Sequence, residues 1–178
     1  MDLLLDIFNE NNKPLGFKRS ITEVHLTGLW HRSSHVWVYN SKRQILLQLR
    51  NKNKQMYPNM WDISAAGQVD AGETPLISGL RELKEELGIE AKADDLEFYR
   101  IRKVDTNYNQ YFEREFQYIY FLRYELNIKN LKLEKSEVKE VKFFNLDELE
   151  SDLKLHPEKF VPHDEVWGEV INFVKNKI

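Results

Sequence analysis

The chain has 178 residues, enough for one domain with a proper core. Its formal net charge is −3 with both signs interspersed, so no basic stripe speaks for nucleic-acid binding. It contains no cysteine, which excludes disulfides and thiolate metal sites, and no apolar run near the ~20 residues of a membrane span.

The opening MDLLLDIFNE lacks the basic start and small-residue cleavage site of a signal peptide, so a cytoplasmic location is expected. DLLLDIFNENNKPLGFKR reads as a hairpin around Asn11-Asn12-Lys13, with Pro14 at the turn. Ser20 and Glu23 have capping-box spacing for a short helix that Gly28 would end. The hairpin offers exposed strand edges that a second copy can pair with, so a homodimer is weighed against a monomer. SHVWVYNSKRQILLQLR is a second hairpin, turning near Asn40-Ser41. NKNKQMYPNM is a polar loop that either connects strands or reaches substrate phosphates with its lysines.

Next comes GQVDAGETPLISGLRELKEELGI, residues 67–89. Thr74 suits the N-cap and Pro75 the first helical position, and Gly88 sits where a left-handed residue stops a helix. At about 100° per residue, Leu76, Leu80, Leu83 and Leu87 form one stripe for burial. Glu82, Glu85 and Glu86 share an arc of about 100° pointing away from it. Glu82 and Glu86 repel each other at i,i+4 unless something positive lies between them. Three carboxylates on one turn supply the oxygen ligands a hard divalent cation takes. Gly79 costs its helix about 1 kcal/mol relative to Ala, and close approach of another backbone is the expected compensation.

LEFYRIRKV and FEREFQYIYFLRYEL read as strands joined by a turn at Asn107–Gln110. LDELESDLK and EVWGEVINFVKN read as helices, the last with Val166, Val170 and Phe173 at helical spacing. Of Trp30, Trp37, Trp61, Tyr57, Tyr108, Tyr111 and Phe112, at least half are expected in the core and the rest are free to stack a base.

Residues 67–89 resemble the box of the Nudix hydrolases, G-x5-E-x7-R-E-U-x-E-E-x-G-U with U aliphatic. Gly67, Glu73, Arg81, Glu82, Glu85, Glu86 and Gly88 fill its fixed places, and Leu83 and Ile89 its aliphatic ones. At roughly 7% per residue type, seven such matches arise by chance on the order of 10⁻⁸ times per window.

The resemblance implies one Nudix domain over residues 1–178, an α/β/α sandwich with a mixed sheet, with residues 1–29 as an N-terminal extension. It also implies hydrolysis of a small-molecule diphosphate, often a nucleoside diphosphate linked to a group X, with Mg2+ as cofactor and Mn2+ as a substitute. Carried over by position, Glu82, Glu85 and Glu86 hold metal, the Gly67 carbonyl is a further ligand, and Arg81 pairs with Glu73. Glu85 is the first choice of general base, and Glu137 or Glu140 in SEVKEVKFFNLDEL the second.

Most of the chain also looks like the branch close to isopentenyl-diphosphate isomerase. There, Arg50 and Lys54 match a pair gripping the diphosphate, while His25, His31, Glu113 and Glu115 match residues that build a second metal site and the acid–base pair, so that Glu115 joins Arg81, Glu85 and Glu86 as a catalytic candidate. Ala66, Gly67 and Gln68 stand where the isomerase has Cys-Gly-His, and no cysteine exists to shuttle a proton at carbon. Hydrolysis is therefore the expectation over isomerisation, with Gln68 as a poor oxygen ligand at the second site. His35, His156 and His163 match no pattern.

Overall fold

The computed structural model describes residues 2–125 and 127–177. Strands β1 (Leu4–Phe8) and β2 (Pro14–Ser20) form the expected hairpin. Helix α1 (Ile21–Thr27) follows, with the Ser20 side chain accepting from the Glu23 amide at 3.3 Å and Gly28 closing it at φ 70°.

The main sheet takes β3 (His31–Tyr39), β4 (Gln44–Arg50), β5 (Trp61–Asp62), β6 (Ala65–Gln68), β7 (Leu96–Tyr108), β8 (Tyr111–Arg123) and β9 (Val138–Asn145). The order β5-β4-β3-β8-β7 is extended by β6 pairing with β3 and β9 with β4. Every pairing is antiparallel except β3 with β8, which makes the sheet mixed. The strand expected over 112–126 runs over Tyr111–Arg123, and residue 126 lies outside the described residues.

Helix α2 (Pro75–Leu87) covers one face, and α3 (Leu146–Leu155) and α4 (Glu165–Lys177) cover the other. The period-2 geometry of strands decides the layers. Val36, Val38, Leu46, Tyr120 and Leu122 pack with Leu83 and Leu87 of α2. Their immediate neighbours Trp37, Tyr39, Ile45, Leu47, Ile119 and Phe121 pack with Leu149, Val166, Trp167 and Val170. Such burial is worth about 1.5–3 kcal/mol per large apolar side chain. The result is the α/β/α sandwich with a mixed sheet. No helix among the described residues is long and apolar enough to cross a membrane.

Two expectations need correction. Of the seven aromatic residues, only Trp37 is fully buried, and the others are half-buried. Tyr57, Tyr108, Tyr111 and Phe112 lie on the β4–β5 loop and around the β7–β8 tip, beyond the reach of the helical layers. At Gly79 the neighbour is not another backbone: a Cβ would stand 2.7 Å from Ser34 Oγ and 3.1 Å from Val36 Cγ2. Side chains of β3 occupy the space that a methyl group would need.

Candidate active site

The α2 helix starts and stops where its ends are satisfied. Thr74 accepts from the Ile77 amide at 3.4 Å, Pro75 opens the first turn, and Gly88 ends the helix at φ 70°. This anchoring aims the acidic arc at a cavity of about 970 Å³, which Glu82, Glu85 and Glu86 all line.

The three carboxylates differ in depth. Glu86 is 6% exposed and accepts from Gln48 Nε2 at 3.0 Å and the Ala66 amide at 3.2 Å. Burial, and then the neighbouring Glu82 charge, push its acid up to about 8. Glu82 is half-buried and likewise raised, first by desolvation. Glu85 is exposed and, among the described residues, is held by Arg81 Nη1 at 3.2 Å.

Arg81 gathers this cluster with all three of its nitrogens. It reaches Glu73 at 3.1 Å, Glu82 at 2.6 Å, Glu85 at 3.2 Å, Asp70 at 3.3 Å and the Gln68 carbonyl at 3.0 Å. The expected Arg81–Glu73 brace is present. Desolvation opposes the guanidinium charge, but the hydrogen bond to Glu73 and the Glu82 carboxylate outweigh it and raise its pKa.

Gly67 faces the Glu82 carboxylate so closely that a Cβ would overlap its Oε1 and Cδ and stand 2.8 Å from its Cγ. The residue lacks positive φ. It is glycine because of what approaches it, and not because of a turn.

The parallel register of β3 with β8 sets His31 opposite Glu115 and Ser33 opposite Gln117. His25 of α1 arrives from the side, and His25, His31 and Glu115 can bring one ligand atom each within 4.8 Å of one another. Glu115 accepts from Ser33 Oγ at 2.7 Å and Gln68 Nε2 at 3.1 Å, with His31 Nε2 3.5 Å away. Burial pushes its acid up, but the contact and charge of His31 outweigh this and hold it below the ordinary range. His25 Nε2, His31 Nε2 and Gln68 Oε1 are buried without a hydrogen-bond partner. Buried polar atoms are ordinarily satisfied, so these three, beside the Glu115 carboxylate, have the chemistry of a ligand set for an ion. Glu113 lines the same cavity outside the trio, its acid pushed up to about 7 by desolvation and by Glu115.

Arg50 and Lys54 also line the cavity, each already engaged. Arg50 Nη1 bonds Asp62 at 2.8 Å, and its Nε and Nη2 bond the Met56 carbonyl at 3.2 and 3.0 Å. Lys54 pairs with Glu137. Glu140 is exposed and is not part of the lining.

Sequence reasoning missed Asp62, His35 and His163, which line the wall away from α2. Asp62 and His163 lie 101 residues apart and meet at 2.6 Å because Trp61 bridges Phe160 just before the loop into α4. No motif spacing encodes such a meeting.

The donors fit a hard divalent ion at α2. The carboxylates of Glu82, Glu85 and Glu86 line one cavity, Gly67 leaves room beside Glu82, and the buried Glu86 has only the Lys54 charge acting against its desolvation.

The chain is 38% identical over 148 residues to an uncharacterized Nudix hydrolase of Clostridium acetobutylicum, covering 82% of this chain and 71% of that protein. It is 32% identical over 179 residues to Nudix hydrolase 3 of Arabidopsis thaliana, where 97% of this chain matches and spans 23% of the plant protein's length. Proteins named isopentenyl-diphosphate isomerase are also among its relatives. A Deinococcus radiodurans crystal structure has the same fold, with a TM-score of 0.70 and 22% identity over 96% of this chain and 98% of that one. A model of the NUDIX domain matches residues 29–164. With that match added to the geometry of its acidic helix, the chain belongs to the Nudix family.

Proposed function

We propose that the protein is a magnesium-dependent diphosphohydrolase acting on a small metabolite, of the nucleoside diphosphate-X kind. The observation that carries this reading is the intact acidic helix, with Glu86 buried and Gly67 cut away in front of Glu82, facing a cavity large enough for such a ligand.

Glu82, Glu85, Glu86 and the Gly67 carbonyl would hold Mg2+, or Mn2+ in its place. When bound, the ion neutralises diphosphate oxygens and lowers the pKa of a coordinated water. Arg81, tied to Glu73 and Asp70, keeps the carboxylates gathered and so fixes the geometry in advance. Glu85, the most exposed of the three, is the proposed acceptor of the water proton. Lys54 is released to the substrate diphosphate when it leaves Glu137, and Arg50 holds the 51–60 loop against Asp62 beside it. His25, His31 and Glu115 form a second ion site, and their nitrogen-rich set suits Mn2+ or Zn2+. Glu113 stands beside it in the cavity wall. A cytoplasmic location and pairing of two copies at the exposed β2 edge belong to the same proposal.

The test is a metal-supplemented screen against a panel of diphosphate compounds, reading released phosphate or monophosphate. Glu86→Gln should lower metal-dependent turnover by at least 10²-fold while circular dichroism stays native. Full turnover in that variant would remove Glu86 from the metal site, and a blank panel under several divalent ions would favour a binding module.

A further inference from the structure

Alternate residues of β4 face α2, so Gln48 follows Leu46 onto the side where Leu46 packs with Leu83 and Leu87. An amide stands there, only 3% exposed, where the alternation calls for an apolar side chain. Burying a polar group costs stability unless it is hydrogen-bonded, so the role of Gln48 is to be sought in its partner.

That partner is Glu86. Gln48 Nε2 donates to Glu86 Oε2 at 3.0 Å, and the Ala66 amide donates to the same oxygen at 3.2 Å. A backbone amide can only donate, so Oε2 is an acceptor whether or not the carboxyl carries a proton, and Gln48 must turn its nitrogen toward it. The two donors occupy both lone pairs of Oε2. Oε1 accepts no hydrogen bond among the described residues and is not one of their sealed, unpartnered atoms. It is the oxygen left for the cavity that Glu86 lines.

The other two carboxylates of the helix are divided in the same way. Arg81 Nη1 holds Glu82 by Oε1 at 2.6 Å and Glu85 by Oε2 at 3.2 Å, and the second oxygen of each accepts no hydrogen bond among the described residues. Glu86 differs in the nature of its donors, since Gln48 and Ala66 are neutral. They fix one oxygen without placing a countercharge in contact with it.

An ion at this helix therefore meets carboxylates that offer one oxygen each. Mg2+ takes about six ligands at roughly 2.0–2.1 Å and keeps several waters, which suits such an offer. Ca2+ takes about six to eight at roughly 2.3–2.6 Å and makes use of carboxylates that give both oxygens.

We infer that Gln48 is a positioning residue that restricts Glu86 to one-oxygen binding, and that it thereby sets the preference of the acidic helix for Mg2+ over Ca2+. The inference rests on the metal-dependent hydrolase reading and deepens it.

The full-length wild type, Gln48→Met and Gln48→Leu are titrated with Mg2+ alone and Ca2+ alone by calorimetry, with circular dichroism to check the fold. Both substitutions remove the donor and keep the bulk. The isotherm of Glu86→Gln, which reports ions held elsewhere, is subtracted. In a folded Gln48 variant the ratio of the Ca2+ Kd to the Mg2+ Kd should fall at least fivefold, because only Ca2+ gains from the freed oxygen. Lost packing alone would weaken both ions together, so a smaller fall would overturn the inference and leave the hydrolase reading standing. Crystals of the wild type with Mn2+ give a check that needs no variant. Glu86 should bind the ion only through the oxygen away from Gln48, and contact through both oxygens would overturn the inference. If neither ion binds the wild type, the metal site falls and the inference falls with it.

Discussion

Gly67→Ala separates the proposed metal-holding role of the acidic helix from its structural role. The added methyl would overlap Glu82 Oε1 and Cδ and stand 2.8 Å from Cγ, where ordinary contact begins at 3.4 Å. Cγ must retreat by 0.6 Å (3.4 minus 2.8) and the carboxylate by about 1 Å or more. Glu82 is the far end of a flexible side chain and an open cavity lies in front of it, so the chain can yield. The cost in stability is the 2.6 Å pair with Arg81, which is only partly screened from solvent and worth about 1 kcal/mol. A displacement of about 1 Å at a reacting centre, by contrast, costs on the order of 10²-fold in rate. The expected result is a melting temperature within a few degrees of wild type, with kcat down about 10²-fold and a raised Mg2+ requirement. Calorimetric melting and an Mg2+ titration of phosphate release measure the two quantities on one preparation. Wild-type kcat in Gly67→Ala would refute the claim that Glu82 is poised there to hold an ion.

Three further outcomes follow from the same geometry. Gly79→Ala gains about 1 kcal/mol of helix propensity but drives a methyl to 2.7 Å from Ser34 Oγ, and overpacking of about 1–3 kcal/mol should lower the melting temperature; an unchanged or higher value counts against it. Glu86→Gln keeps an acceptor for Ala66 and Gln48 without a buried charge, so the metal-free protein should melt higher and its gain on adding Mg2+ should vanish in scanning fluorimetry. His35 has its pKa lowered to about 4 in the fold, so below about 6.5 the unfolded chain binds a proton that the native ring refuses. Stability held above that pH should therefore fall on acidification toward 4, by about 1.4 kcal/mol per unit from this group. Urea melts of His35→Phe should show that slope removed, and equal slopes would refute the assignment.

Local physics made much of the molecule legible from the sequence. The α2 boundaries follow from Thr74, Pro75 and Gly88, and its buried and acidic faces from spacing alone. The alternation along β3 and β8 announced strands, and the layers they serve follow from it. What stayed hidden depended on tertiary neighbours. Gly67 and Gly79 are explained by the Glu82 and Ser34 side chains that approach them, which no local propensity describes. Arg50 matched a phosphate-gripping position, yet its three nitrogens are committed to Met56 and Asp62. Asp62, His35 and His163 sit on three separate elements, and only the packing of the loop before α4 brings them to one wall. His25, His31 and Glu115 were found by family likeness, since their spacing alone carries no signal.

The side-by-side alignment of β3 with β8 governs the order in which this protein can be assembled. His31 and Glu115 are register partners on strands far apart in sequence, so the long segment between them must close before the imidazole end of the cavity exists. Contacts that distant in sequence form late, because a long loop must close before they repay its entropy. A growing chain would thus carry its acidic segment 75–87 well before it owned a complete pocket, and an ion met there early would find only part of its surroundings.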